Sequence, residues 1–255
     1  MMTSGKGRIA ILGLGPGNLS LRTPQVTAAL EDATDLVGYG PYLDRVEAGP
    51  DAVRHGSDNR VELDRARHAL SLAAAGRRVA VVSSGDAGVF AMASAVFEAV
   101  EHGDPDWRML DIVVMPGISA MLAVAARLGA PLGHDFCVLS LSDNLKPWEL
   151  ILRRLRAAAE AGFTIALYNP VSHARPWQLG EALELLRGIL PGAVPVVFAT
   201  AISRPEERIV MTALADARGD QADMRTMVLI GTVCTRIIDR PGRAPWLYAP
   251  RGVRS

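Results

Sequence analysis

The chain has 255 residues, 49% hydrophobic and 21% charged, enough apolar material for a sizeable core in one large or two ordinary domains. Its 27 lysines and arginines balance 27 aspartates and glutamates. That balance argues against a general nucleic-acid or acidic-membrane binder and leaves any anionic ligand to a local cluster. Cys137 and Cys234 are too few and too far apart for a four-cysteine zinc or iron–sulfur site, so two buried or free thiols in a reducing compartment are expected. Met1 to Lys6 lack the apolar core of a signal peptide, and no run reaches the about 18 apolar residues of a membrane span, so a cytoplasmic location is expected.

The first element is Ile9–Leu12, a continuous apolar run that reads as a buried parallel strand. It runs into Gly13-Leu-Gly15-Pro-Gly17-Asn18, where the glycines permit a sharp turn and close approach. In an α/β protein this loop lies at the carboxyl edge of the sheet, where ligands bind. A dinucleotide fits it poorly. The third fingerprint position is Asn18, Pro16 lacks an N–H, and no acid follows at the end of the second strand. A tight strand-to-helix turn is the alternative reading.

Thr23-Pro24 starts a helix, with threonine as N-cap. Leu36-Val37 is a short strand ending in Gly38-Tyr-Gly-Pro-Tyr42, a ligand-facing loop or a packed turn. Asn59 opens the next helix with Glu62 completing a capping box, and Gly76 closes it. Val79–Val82 is a third strand, broken at Ser83-Ser-Gly-Asp-Ala-Gly88. A helix follows from about Val89 to His102, then a strand at Ile112–Val114 and a helix from Ala120 to about Leu128. Strand–helix alternation predicts a mainly parallel sheet with helices on both faces. Right-handed crossovers then bring the loops at 13–18, 83–88 and 116–120 to one edge.

Gly129–His134 reads as a boundary. The expected organisation is therefore α/β, with an N-terminal domain at 1–130, a linker at 131–135 and a C-terminal domain at 136–255 whose sheet is mixed. Strands are predicted at 137–141, 164–168, 194–200, 208–211 and 227–232, and helices at 148–161 and 177–190.

Asp86 leaves a buried strand and reads either as an acceptor for an amine or ribose hydroxyl or as a helix N-cap. Ser119-Ala120 heads a helix, a ready site for a carboxylate. No two of the five histidines, His55, His68, His102, His134 and His173, stand at helical spacing, so no metal site is expected. Arg175, Arg204, Arg208, Arg236, Arg240 and Arg243, with Lys146, form either a cationic wall or solvated surface. No nucleophile–base pattern is present.

Gly13-Leu-Gly-Pro-Gly17, Ser84-Gly-Asp-Ala-Gly-Val-Phe90 and Pro116-Gly-Ile-Ser-Ala120 resemble the tetrapyrrole methylase family of S-adenosylmethionine-dependent methyltransferases. Leu141–Trp148, Tyr168–Arg175 and Ser203–Arg208 resemble its branch acting at C-17 of precorrin-3B in cobalamin biosynthesis, a part of porphyrin metabolism. The resemblance implies two α/β domains with a ligand cleft between them, S-adenosyl-L-methionine as cofactor, S-adenosyl-L-homocysteine as product and a homodimer. It implies cofactor contacts at Pro16, Ser84, Gly85, Asp86, Val89, Ser119, Ala120, Asn169 and Thr200, and no metal. Gly15, Arg175 and Arg204 are expected to meet the tetrapyrrole. Asp143, His173 and Lys146 are the polar groups to test for the proton movements of ring contraction. The implied reaction methylates C-17 and extrudes C-20, giving precorrin-4. Alternatives are a cobalt-precorrin-3 substrate, another corrin carbon, a dinucleotide oxidoreductase, or a non-enzymatic tetrapyrrole carrier. The tail Ala249-Pro-Arg-Gly-Val253 departs from the Thr-Pro-Arg-Gly-Tyr of many relatives.

Overall fold

The computed structural model describes residues 7–58, 61–172, 174 and 176–252. The chain forms two compact units, Met1–Ser119 and Ala120–Ser255. The first contains β1 (Arg8–Gly13), α1 (Pro24–Asp32), β2 (Asp35–Tyr39), α2 (Gly40–Leu43), β3 (Val53–Ser57), α3 (Glu62–Ala74), β4 (Arg78–Ser83), α4 (Met92–His102) and β5 (Asp111–Met115). Its five strands pair in the order β3-β2-β4-β1-β5, every pair parallel.

The pleat explains the layering. Ile9 and Ile11 of β1 pack with Val79 and Val81 of β4 against Ala66, Leu70 and Val96 of α3 and α4. Ala10 and Leu12, on the other face, join Ala80 and Val82 against Val26 and Leu30 of α1 and Leu43 of α2. Alternate side chains of one strand thus feed separate cores. Thr23 caps α1, its Oγ1 accepting from the Val26 N–H at 3.3 Å.

The second unit contains α5 (Ala120–Leu128), β6 (Gly129–Ala130), β7 (Phe136–Ser140), α6 (Trp148–Glu160), β8 (Thr164–Tyr168), α7 (Gln178–Arg187), β9 (Pro195–Thr200), β10 (Arg208–Ala213), β11 (Thr226–Ile230), β12 (Arg236–Arg240) and β13 (Arg243–Tyr248). Its main sheet runs β10-β9-β11-β8-β7 and is mixed: only β7–β8 is parallel. Ile151 and Leu155 of α6 and Leu179 and Leu183 of α7 cover Ile165, Leu167, Phe198 and Val228. A second sheet orders β12-β13-β6.

Several expectations need correction. The two units divide at Ser119/Ala120, whereas the linker was expected at 131–135; Gly129–Ala130, read as the start of the boundary, pairs as β6 with Leu247–Tyr248 of β13. The helix expected from Val89 begins at Met92, with Ala91 at its N-cap. The helix expected from Asn59 begins at Glu62 after Val61, and Asn59 lies outside the described residues. Strands β3, β12 and β13 were not expected. No helix of the described residues is long and apolar enough to cross a membrane.

Candidate functional site

Parallel register brings the ends of β1, β4 and β5 to one edge, pairing Gly13 with Ser83 and Leu12 with Met115. The loops that leave these strands are stitched together. The Leu14 N–H donates to Ser83 O at 2.9 Å and the Gly15 N–H to Gly85 O at 3.0 Å. The Gly85 N–H returns to Gly15 O at 2.8 Å. Gly15 and Gly85 have φ of +79° and +68°, a region that favours glycine. A Cβ on Gly117 would lie 2.3 Å from Gly85 O and 2.4 Å from Gly13 O. The close approach read from the glycines is therefore, first of all, an approach of one loop to another.

Asp86 completes the knot. Its Oδ1 accepts from the Gly88 N–H at 2.8 Å and its Oδ2 from the Gly117 N–H at 3.0 Å. It is not the N-cap of α4, because that helix begins six residues later. Pro16 is buried and carries no N–H, and the preceding N–H groups are spent on Ser83 and Gly85. Asn18 caps a short 3₁₀ turn at Leu19–Leu21 through the Ser20 N–H, at 2.9 Å. The N–H groups of Leu14, Gly15, Gly85, Gly88 and Gly117 are thus spent within the loops, and the Asp86 carboxylate lies among them. Ser84, Gly85, Asp86 and Val89 are half-buried, Ser119 is buried, and Ala120 starts α5.

In the second unit, the Met121 N–H in the first turn of α5 donates to the Tyr168 phenol oxygen at 2.9 Å. Asn169 follows β8 with φ +51°, its Nδ2 donating to Ser140 Oγ at 2.9 Å. Thr200 ends β9 and shares a 2.8 Å hydrogen bond with Thr226. Asp143 Oδ1 accepts from Gln178 Nε2 of α7 at 2.5 Å. Burial, and then repulsion from Arg154, pushes the Lys146 ammonium below its ordinary pKa. Arg204 lies in the loop after β9, which turns through Ala201 and Ser203 with φ of +51° and +61°. The predicted His173 and Arg175 lie outside the described residues.

Arg236, Arg240 and Arg243 sit on the β12–β13 hairpin, where Arg240 stacks over Trp246 at 4.2 Å. Sequence spacing also hid one cluster. His55 on β3 meets His68 on α3 at 3.0 Å and Asp35 Oδ1 at 2.9 Å, while Arg77 Nε reaches Asp35 Oδ2 at 2.7 Å. No described group of three histidine, cysteine, aspartate or glutamate residues is placed to hold a metal. Phe90, at the end of the Ser84–Phe90 stretch, is half exposed with φ +51°.

Comparison with known proteins gives a consistent picture. Residues 8–218 match the family described as Tetrapyrrole (Corrin/Porphyrin) Methylases. The chain is 58% identical over 245 residues to a precorrin-3B C(17)-methyltransferase from Sinorhizobium sp, covering 96% of each protein. The crystal structure of the methyltransferase CobJ superimposes with a TM-score of 0.91 at 53% identity, over 96% of this chain and 100% of that one. A uroporphyrin-III C-methyl transferase from Thermus thermophilus, complexed with S-adenyl homocysteine, shares the fold, with a TM-score of 0.65 at 22% identity over 88% of this chain and 97% of that one. The match of the family across both units, together with the three knotted loops at the edge of the first sheet, establishes that the chain belongs to the tetrapyrrole methylases.

Proposed function

We propose that the chain transfers a methyl group from S-adenosyl-L-methionine to C-17 of precorrin-3B and contracts the macrocycle to precorrin-4, in cobalamin biosynthesis. The observation that carries this reading is 58% identity to a protein of that activity over 96% of both chains. The edge of the first sheet fits the cofactor's charge. Its N–H groups are spent on Ser83 and Gly85 carbonyls, and the Asp86 carboxylate stands where a cationic ligand gains and a phosphate loses. When bound, S-adenosyl-L-methionine supplies an electrophilic methyl on a sulfonium, so the protein's task is alignment rather than covalent attack.

In this reading Pro16, Ser84, Gly85, Asp86, Val89, Ser119 and Ala120 orient the cofactor, and Asn169 and Thr200 of the second unit are further contacts. Gly15, Arg175 and Arg204 hold the tetrapyrrole, the arginines by paired hydrogen bonds to its carboxylates. Asp143, His173 and Lys146 move protons on the tertiary alcohol and lactone during ring contraction. A depressed Lys146 is suited to proton transfer nearer neutrality than an ordinary lysine. A homodimer in the cytoplasm is part of the proposal. The half-exposed Ile237, Ile238 and Trp246 of the β12–β13 hairpin supply an apolar surface for such contact, and light scattering at the monomer mass would count against it.

The decisive experiment incubates the protein with precorrin-3B and methyl-labelled S-adenosyl-L-methionine and locates the label by NMR. Label at C-17 in a ring-contracted product is expected. Label at another carbon, or calorimetric binding of NAD without S-adenosyl-L-homocysteine, overturns the reading.

A further inference from the structure

The first unit holds a buried cation that the proposed cofactor contacts do not use. Arg65 lies on the inner face of α3 among Ala66, Ala69 and Leu70, and only 6% of it is exposed. Its Nε donates to Ser57 Oγ at 2.8 Å, its Nη2 to the Asp58 carbonyl at 2.6 Å, and its Nη1 faces Met92 Sδ at 3.4 Å. None of these partners is a carboxylate. A guanidinium carries five N–H donors, so among the described residues these contacts leave two without an acceptor, and a thioether is a weak acceptor. Burial pushes the group below its ordinary pKa, with Glu62, one turn earlier, and Tyr42 opposing that drift. A buried cation without a hydrogen-bonded counter-ion is costly to keep.

Its partners place it. Ser57 is the last residue of β3, and Asp58 follows. Met92 is the first residue of α4, and its N–H donates to Ser83 Oγ at the end of β4, at 3.2 Å. The guanidinium therefore sits at the carboxyl edge of the first sheet, the same edge as the glycine knot. Met92 is a flexible, unbranched side chain that gives way easily. Its sulfur occupies the position on Nη1 that a carboxylate oxygen would take.

We propose that Arg65 is a substrate-binding residue, the first unit's counter-ion for a carboxylate of the tetrapyrrole, with Met92 as the group it displaces. This rests on the reading of the substrate as a polycarboxylate tetrapyrrole. It assigns part of the substrate's charge recognition to a buried arginine at the edge of the first sheet.

The test compares the intact protein with Arg65→Lys and Arg65→Met. KM for precorrin-3B is measured in the methyl-transfer assay, S-adenosyl-L-homocysteine affinity by calorimetry, and folding by thermal melting. Loss of one charge-assisted contact raises KM by about 10- to 100-fold in Arg65→Met, with a smaller rise in Arg65→Lys, which keeps the charge but not the fork. S-adenosyl-L-homocysteine affinity stays within about twofold. An unchanged KM overturns the proposal. A parallel loss of S-adenosyl-L-homocysteine affinity also overturns it, since it makes Arg65 a positioning residue for the Met92–Ser83 link. If Arg65→Met fails to fold, Arg65→Lys decides alone, and a wild-type KM in that variant refutes the assignment. Absence of turnover by the unmodified protein sinks the functional reading instead. In that case absorbance titration with uroporphyrin III, comparing the unmodified protein with Arg65→Lys, still reads the carboxylate site: weaker binding by the variant supports it, and equal binding refutes it.

Discussion

The knot of loops makes a sharp demand at Gly117. Replacing it by alanine places a Cβ 2.3 Å from Gly85 O and 2.4 Å from Gly13 O, where ordinary contact begins at 3.4 Å. Both neighbours are backbone, and neither yields easily. Gly13 ends a strand laddered to β4 and β5, and Gly85 is bridged to Gly15. The loop after β5 has to move by roughly 1 Å, an overpacking cost of about 1–3 kcal/mol. If it swings outward it also gives up the 3.0 Å bond from the Gly117 N–H to Asp86, a charge-assisted contact of about 1.5–3 kcal/mol. The total is about 3–5 kcal/mol, or roughly 6–20 °C in melting temperature for a chain of this size.

The measurement is thermal unfolding of Gly117→Ala beside calorimetry with S-adenosyl-L-homocysteine, whose affinity falls at least tenfold if the knot shapes the cofactor edge. Gly180→Ala is the matched control. An added Cβ there meets nothing within 4 Å, inside α7, so the variant is unchanged or up to about 1 kcal/mol more stable. A Gly117→Ala protein that melts within 2 °C or so of the parent and binds S-adenosyl-L-homocysteine equally well would refute the account of the knot.

Asp86→Ala strips the Gly88 and Gly117 N–H groups of their acceptor. It costs about 2–4 kcal/mol in urea unfolding and weakens S-adenosyl-L-homocysteine binding, with Asp86→Asn between the two. At Asp35, burial raises the carboxyl pKa, but the hydrogen bonds from Arg77, His55 and Thr34 outweigh it and hold the group below its ordinary 3.8. Its stabilisation is therefore present above about pH 4 and lost as pH falls through the lower folded value. Urea unfolding should show Asp35→Asn costing about 3–5 kcal/mol at pH 7 and progressively less as pH falls below 3.8 through the folded value, and a cost that does not fall with pH would refute the network's role. Burial pushes the Cys137 thiol up to about 11. Its alkylation by iodoacetamide at pH 8 runs about 100-fold slower than that of a thiol at the ordinary 9.0, as followed by mass spectrometry.

What could be read from the chain depended on how each element is buried. Ile9–Leu12 and Val79–Val82 are enclosed on both faces, so continuous apolar runs gave them away. Val53–Ser57 contains one apolar residue and still forms a strand, because β3 is an edge held by its parallel ladder to β2. Its polar side chains turn to backbone and buried charge: Arg54 donates to the carbonyls of Leu43 and Val46, and His55 reaches Asp35. Strand β12 sets two half-exposed isoleucines, Ile237 and Ile238, between charged residues, a pattern no buried-strand search finds, although the Pro-Gly turn before Arg243 marked the hairpin. His55 and His68 stand 13 positions apart and meet only because β3 and α3 are neighbours in space. Helical spacing was the wrong ruler for them.

The loop after β1 shows why a near-miss to a phosphate fingerprint is informative. A phosphate cradle works by leaving backbone N–H groups unspent, pointed at the ligand from a helix N-terminus. Here the first candidate donors are withdrawn or missing. Leu14 and Gly15 give their N–H groups to the β4 loop, Pro16 has none, and Asn18 begins a capped 3₁₀ turn instead of the third glycine's close helix packing. Donors from the neighbouring loops, those of Gly88 and Gly117, go to Asp86. The same glycines that a dinucleotide site uses to approach pyrophosphate are used here to let three loops approach one another. The charge within the knot itself is the Asp86 carboxylate, which locally favours a sulfonium and disfavours a phosphate by simple electrostatics. The departures at Pro16 and Asn18 are thus not decay of a nucleotide motif; they remove the donors that would make the edge attractive to the wrong ligand.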